Sequence, residues 1–173
     1  MFRICDKRLA TRFLCDEMLT RIGRWLRAAG YDTVIAEGGV SDRALVARGA
    51  EEDRVLLTKD RHLFAVAQGV VPVVLVTGDG IDETALGLRD ALNVDWQWAP
   101  FTRCIIDNRL LVPASAHLAM RVPERSRAAG GPLRACADCG RLYWSGGHVR
   151  RMQQRLASWQ NTPRTGAGAA FSP

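Results

Sequence analysis

Lysine is nearly missing from this sequence. Only Lys7 and Lys59 occur, yet lysine and arginine together number 24 against 18 aspartates and glutamates. The formal net charge of +6 is therefore almost all guanidinium, which keeps its charge in any setting and whose planar fork suits phosphate. The excess implies a nucleic-acid or other polyanionic partner, or merely arginine standing in for lysine. Long apolar runs are missing too. No stretch approaches the roughly 20 residues needed to cross a bilayer, so no membrane partner is expected. Arg3, Asp6, Lys7 and Arg8 leave no apolar core for a signal peptide near the start, and a cytoplasmic location is expected. The five cysteines are an odd number, and three of them, Cys104, Cys136 and Cys139, fall late in the chain. In a reducing compartment a close Cys-x-x-Cys pair points to metal before disulfide. No internal repeat is present.

What is there is a chain of 173 residues, 47% apolar, enough for one medium domain with a small appendage. Its organising stretch is Phe13–Thr33. The apolar run Phe13-Leu14-Cys15 meets the carboxylates of Asp16 and Glu17. Met18, Leu19, Ile22, Trp25, Leu26 and Ala29 then recur at three- and four-residue steps, as in an amphipathic helix, with Arg21, Arg24 and Arg27 mostly off the stripe. Gly30 stops the helix, and residues 31–35 restart as a strand. Ser41 caps a short helix to Arg48 with Ala44 and Leu45 inward, ended by Gly49. Residues 54–58 read as a strand covered on both faces. Helix follows over 61–68, strand over 70–77 with Pro72 favouring an outer or early position, and helix over 81–92. This alternation predicts an α/β fold with a parallel sheet of about four strands and helices on both faces.

The style changes near Trp96–Pro100. Residues 100–152 read as a small loop-rich module that needs a metal staple. Residues 1–12 read as a lead-in segment. A basic helix over 149–159 closes the chain, followed by a disordered Gly/Ala/Pro/Thr-rich tail from 161 to 173.

Asp16 and Asp60 each follow a strand, and Asp42 opens the helix after the second strand. In open parallel sheets the ligand crevice lies at the carboxyl ends of the strands. Carboxylates that converge there repel one another unless a cation holds them. Magnesium or manganese suits oxygen ligands and keeps waters for substrate phosphates, so the implied chemistry is metal-assisted phosphodiester hydrolysis. Each aspartate also has a plainer role. Asp16 and Asp60 would cap helices, and Asp42 would complement a helix dipole. Glu17, Asp32, Asp79, Asp82 and Glu83 are further acidic candidates. Arg21, Arg24, Lys59 and Arg61 fall around the same edge, as grips for a nucleic-acid backbone or as solvated surface.

Cys136-Ala137-Asp138-Cys139-Gly140 is a metal knuckle, and Cys104-Ile105-Ile106-Asp107 has the same spacing with a carboxylate in second place. Cys104, Asp107, Cys136 and Cys139 form a candidate structural zinc site, with His117 or His148 as alternative ligands and an empty, lapsed site as the plainer possibility. Trp144, beside basic residues, would either stack on single-stranded RNA or pack the module onto the larger domain.

Five blocks in order, FLCDEMLTRIGRWLRAAGYDT (13–33), DRALVARGA (42–50), RVLLTKDRHL (54–63), RCIIDN (103–108) and CADCGRLYWSGGH (136–148), resemble the Mut7-C RNase domain proteins. The resemblance covers residues 13 to 152. It implies a PIN-like nuclease domain over 13–99 and a C-terminal zinc ribbon over 100–152. It also implies ribonuclease activity with a divalent cation, Mg²⁺ or Mn²⁺, and PIN-type acidic residues matching Asp16, Asp42 and Asp60. The ribbon would sit at Cys104, Cys136 and Cys139. The chain departs from the family pattern at Asp107, where a second thiolate is usual, at Ile22-Gly23, where Leu-Ala is usual, and at Glu83-Thr84-Ala85-Leu86, where Glu-Gln-Leu is usual. The expected activity is an endoribonuclease acting on RNA. The competing expectations are a non-catalytic RNA-binding or adaptor module, and a toxin-like nuclease held by a partner protein.

Overall fold

A computed structural model describes residues 11–164 and 170–172. The strands of the main sheet are short and strictly parallel at first. β1 (Phe13–Cys15) lies between β2 (Thr33–Ile35) and β3 (Val55–Thr58), and β4 (Val73–Leu75) pairs with β3. The helices between them are α1 (Thr20–Ala28, after a 3₁₀ turn at Glu17–Leu19), α2 (Asp42–Glu51) and α3 (Arg61–Ala67), and α4 (Ile81–Leu92) follows β4. Successive strand residues face opposite sides of a sheet. Phe13, Cys15, Leu57 and Val74 accordingly join α1 and α4 in one buried cluster, while Leu14, Leu56 and Val73 join α2 and α3 in another. This is the expected α/β layering with helices on both faces.

Several details differ from the sequence reading. Met18 is not on the buried stripe but 65% exposed, because the 3₁₀ turn rotates it outward. Arg27 is buried, held by hydrogen bonds to the Thr33, Ile105 and Ile106 carbonyls. On α2, Ser41 does cap, accepting from the Ala44 amide, but Val46 rather than Ala44 turns inward with Leu45. Gly49 does not end α2; it lies inside it, packed against Val71. Gly23 has a similar use, since a Cβ there would fall 2.7 Å from Ile35 Cγ1. Its cost to the helix is thus matched by close approach of α1 to the sheet. Gly30 sits at φ +103° and does stop the helix.

Of the expected lead-in over 1–12 only residues 11 and 12 are described, and of the expected tail over 161–173 residues 161–164 and 170–172 are. Where the tail is described, it departs from expectation. β8 (Ala170–Ser172) pairs antiparallel with β4, covering the edge on which Pro72 precedes the strand.

Beyond residue 95 the chain stays attached to the same core. The Ala99 and Phe101 amides donate to the Ala29 and Ala28 carbonyls at the end of α1. β5 (Val112–Pro113), β6 (Arg134–Ala135) and β7 (Leu142–Tyr143) form a small antiparallel sheet, with α5 (Ala116–Ala119) and α6 (Glu124–Ala128) between the first two. α7 (Gly147–Asn161) packs on α4. Its Trp159 ring meets Trp25 and the fully buried Trp96 edge-on, at centroid distances of 4.8 and 5.1 Å. Trp144 is half-buried and lines a small surface cleft with Phe101, Tyr143 and Val149. Among the described residues no helix is long and apolar enough to cross a membrane.

Candidate active site and metal centre

The carboxyl ends of β1, β2 and β3 open into a cleft of about 240 Å³. Asp16, Glu17, Glu37, Asp42 and Asp60 all line it, and among the described residues no lysine or arginine does. The three aspartates expected at this edge are therefore brought to one cleft. Asp16 follows β1 directly and is 8% exposed. It makes no cap hydrogen bond; its Oδ2 accepts from the Thr58 hydroxyl at 2.9 Å. Thr58 Oγ1 in turn accepts from the Asp60 amide at 2.9 Å, so one hydroxyl ties the end of β1 to the turn after β3. Asp60 does cap its helix, with Oδ1 accepting from the His62 and Leu63 amides. Asp42, in the first turn of α2, pairs its Oδ2 with His62 Nδ1 at 3.0 Å.

Thr58 and Glu37 escaped the sequence reading. Thr58 is the one polar residue ending an otherwise apolar strand, a signal that was there to use. Glu37 looked like part of a Gly-Gly turn. The other acidic candidates separate. Asp32 is at the opposite end of the sheet, and Asp82 is engaged by Arg155 and by the Trp159 indole. Asp79 lines a second cleft. Glu83 accepts from the Asp79 amide. Of the four basic candidates, Arg21 and Lys59 line that second cleft, whereas Arg24 and Arg61 are exposed and line neither.

The second centre is built by the two knuckles. Cys104, Asp107, Cys136 and Cys139 each offer a ligand atom, all within 4.8 Å of one another. Among the described residues this is the one such convergence, and neither His117 nor His148 belongs to it. The Sγ atoms of Cys104 and Cys139 are 3.8 Å apart, and Asp107 Oδ2 lies 3.5 and 3.3 Å from Cys104 and Cys136 Sγ. A tetrahedral zinc with bonds of about 2.3 Å to sulfur and 2.0 Å to oxygen needs edges of about 3.8 Å and 3.5 Å. The donor set therefore fits a single ion in size as well as chemistry, and Asp107 takes the fourth corner. Hydrogen bonds from the thiols, that of Cys139 foremost, hold the Asp107 carboxyl below its ordinary range, while burial pushes the Cys136 thiol up. A bound cation would reverse the latter, since thiolate is the ligating form. Tyr143 donates its hydroxyl to Cys104 Sγ at 3.2 Å and accepts from the Ile105 amide, bracing the first knuckle. Cys15, by contrast, is an inert core thiol that burial lifts to about 12.

This centre sits at the amino ends of the strands. Asn108, at φ +64°, accepts from the Thr33 amide at 3.0 Å and donates to Asp32 Oδ1 at 2.7 Å. Arg54, at the start of β3, completes the group at 2.9 Å from Asp32. Burial works against the Asp32 carboxylate, but Arg54 and Asn108 outweigh it and hold the group below its usual range.

Fold and sites together define an α/β protein with an acidic crevice at one end of its sheet and, at the other, a cysteine-rich cluster that could hold a metal ion. The family model described as Mut7-C RNAse domain matches residues 11–156, and the chain belongs to that family. Comparison with curated proteins and with solved structures finds no match. The family points to a nuclease of ribonuclease type, with RNA as substrate.

Proposed function

We propose that this chain is a Mg²⁺- or Mn²⁺-dependent endoribonuclease of PIN-like architecture, with Asp16, Asp42 and Asp60 at its centre. The observation that carries this is the cleft lined, among the described residues, by five carboxylates and by no lysine or arginine. Such a set is repulsive on its own and fits a divalent cation. Asp16, Asp42 and Asp60 would hold the ion. When bound, it supplies a water of lowered pKa and offsets charge on the phosphate. The protein's own contribution is orientation. Thr58 fixes the Asp16 carboxylate, the start of α3 fixes Asp60, and His62 steadies Asp42.

In the same reading the thiolate centre holds structural zinc in a ribbon-like module over residues 100–152, appended to a nuclease domain over 13–99. One observation favours a second reading, an RNA-binding module without turnover. The three aspartates share a cleft but do not converge as closely as the four zinc-site donors do. Magnesium bridges such a gap through its retained waters. The deciding experiment is cleavage of single-stranded and structured RNA by the wild type, Asp16→Asn and Asp60→Asn. Loss of cleavage in both variants supports the nuclease, and salt-dependent binding without turnover in all three supports the binder.

A further inference from the structure

We infer that the second cleft on the same sheet edge is a subsite for the RNA phosphate next to the one cut, and that it requires an RNA longer than a dinucleotide. This deepens the ribonuclease reading and rests on it. The two clefts are neighbours. Met18, 65% exposed, lines both and forms the ridge between them. Asp60 lines the first and Lys59, one residue earlier, lines the second. Neighbouring residues at a strand end send their side chains to opposite sides, with Cα atoms about 3.8 Å apart. The turn after β3 therefore delivers a carboxylate to one cleft and an ammonium to the other.

The charge character changes across the ridge. Among the described residues the first cleft has five carboxylates and no lysine or arginine, and the second, of about 130 Å³, is lined by Arg21, Lys59 and Asp79. Lys59 is held in place by a hydrogen bond from Nζ to the Gly78 carbonyl at 2.5 Å, which leaves further donors on the ammonium. Arg21 is exposed on the first turn of α1, on the same side as Met18. Two further carboxylates lie nearby: Asp82 is engaged by Arg155 and the Trp159 indole, and Glu83 accepts from the Asp79 amide. A polyanion crossing Met18 would thus present one phosphate to the carboxylate-bound cation and the adjacent one to Lys59 and Arg21. A dinucleotide has only one internal phosphate and cannot use both clefts.

The test uses the full chain and two unmodified RNA probes, a dinucleotide with one phosphodiester and a tetranucleotide with three. Binding is measured in Ca²⁺ over a salt series, and cleavage in Mg²⁺ and Mn²⁺. The wild type is expected to favour the tetranucleotide at least tenfold in binding. Arg21→Gln is expected to cut that preference several-fold and to flatten the logarithmic salt slope by about 0.7, the value for one phosphate contact on a single strand. Lys59→Arg, which keeps the charge, is expected to retain the preference, and Lys59→Gln to lose it. An unchanged preference and slope in Arg21→Gln and Lys59→Gln would overturn the subsite. If no RNA is cut by any variant in either metal, the ribonuclease reading fails separately, and the binding series still decides whether the second cleft takes phosphate.

Discussion

Asp16 and Asp32 stand at opposite ends of the first strand-helix-strand unit, and their surroundings differ in one respect. Asp32 meets a guanidinium and an amide, Arg54 and Asn108, in a closed web that also grips the Thr33 amide. Asp16 meets a hydroxyl, and among the described residues the cleft around it adds four more carboxylates and no lysine or arginine. The same side chain is thus a neutralised joint at the amino ends of the strands and an uncompensated charge at their carboxyl ends. The strands are only three or four residues long, about 10 Å at 3.3 Å per residue, so this change in chemistry occurs over a short span. In the proposed nuclease, charge left unbalanced is the feature that would separate a working carboxylate from a structural one.

The sharpest way to break the comparison is to make one substitution at both ends. Asp16→Asn is expected to lower RNA cleavage about a hundredfold or more, roughly 2.7 kcal/mol at 1.36 per tenfold, with little change in melting temperature. Asp32→Asn should do the reverse, holding cleavage within a few-fold while lowering stability by about 1–3 kcal/mol. Steady-state kinetics and thermal unfolding on both variants check this, and equal effects on activity would erase the distinction.

The next effect concerns the thiolate centre alone. Cys136→Ser should lose zinc by metal analysis and about 4 kcal/mol of stability, roughly 8–16 °C in Tm. If the variant melts with the wild type, the knuckles do not staple the module. A smaller effect is expected from Asn108→Ala, which removes the bonds to Thr33 and Asp32 but none of the zinc donors. It should cost about 1–2 kcal/mol while zinc content stays the same, separating docking of the knuckle from metal binding. The smallest lies at neither end. The indole of Trp159, then Arg155, holds the Asp82 carboxyl below its usual range, so its contribution is present above about pH 4 and lost as pH falls through the lowered value. Because Asp82 is largely exposed, Asp82→Asn should change stability by less than about 1 kcal/mol at pH 7. That difference should shrink progressively in unfolding curves taken as the pH is lowered below about 4.

Much of this contrast was legible in the sequence. Local period set the strands and helices from Phe13 to Leu92; a carboxylate directly after an apolar run marked Asp16, and one almost directly after another marked Asp60. Knuckle spacing marked the four donors that the fold brings together, Asp107 among them. The misses arose where distant contacts override local pattern. Arg27 looked solvent-facing because nothing nearby reveals that the Ile105 and Ile106 carbonyls will come to meet it. Met18 followed the helical period but lies on a 3₁₀ turn that the period does not encode. Asp32 reads in the sequence as one of several further acidic candidates, and only the partners Arg54 and Asn108, 22 and 76 residues away, tie it into a structural web. The last strand, Ala170–Ser172, carries a composition typical of a loose tail and owes its form to the open edge of β4.

The central claim is that one end of the sheet performs chemistry with an exchangeable cation while the other end holds zinc for stability. The direct measurement is cleavage of a single-stranded RNA by zinc-loaded protein dialysed free of Mg²⁺ and Mn²⁺, with zinc content read on the same sample before and after Mn²⁺ is added back. The account predicts no cleavage before addition, cleavage after it, and about one zinc per chain throughout. Cleavage at full rate before any Mn²⁺ or Mg²⁺ is restored, with zinc alone present, would contradict it.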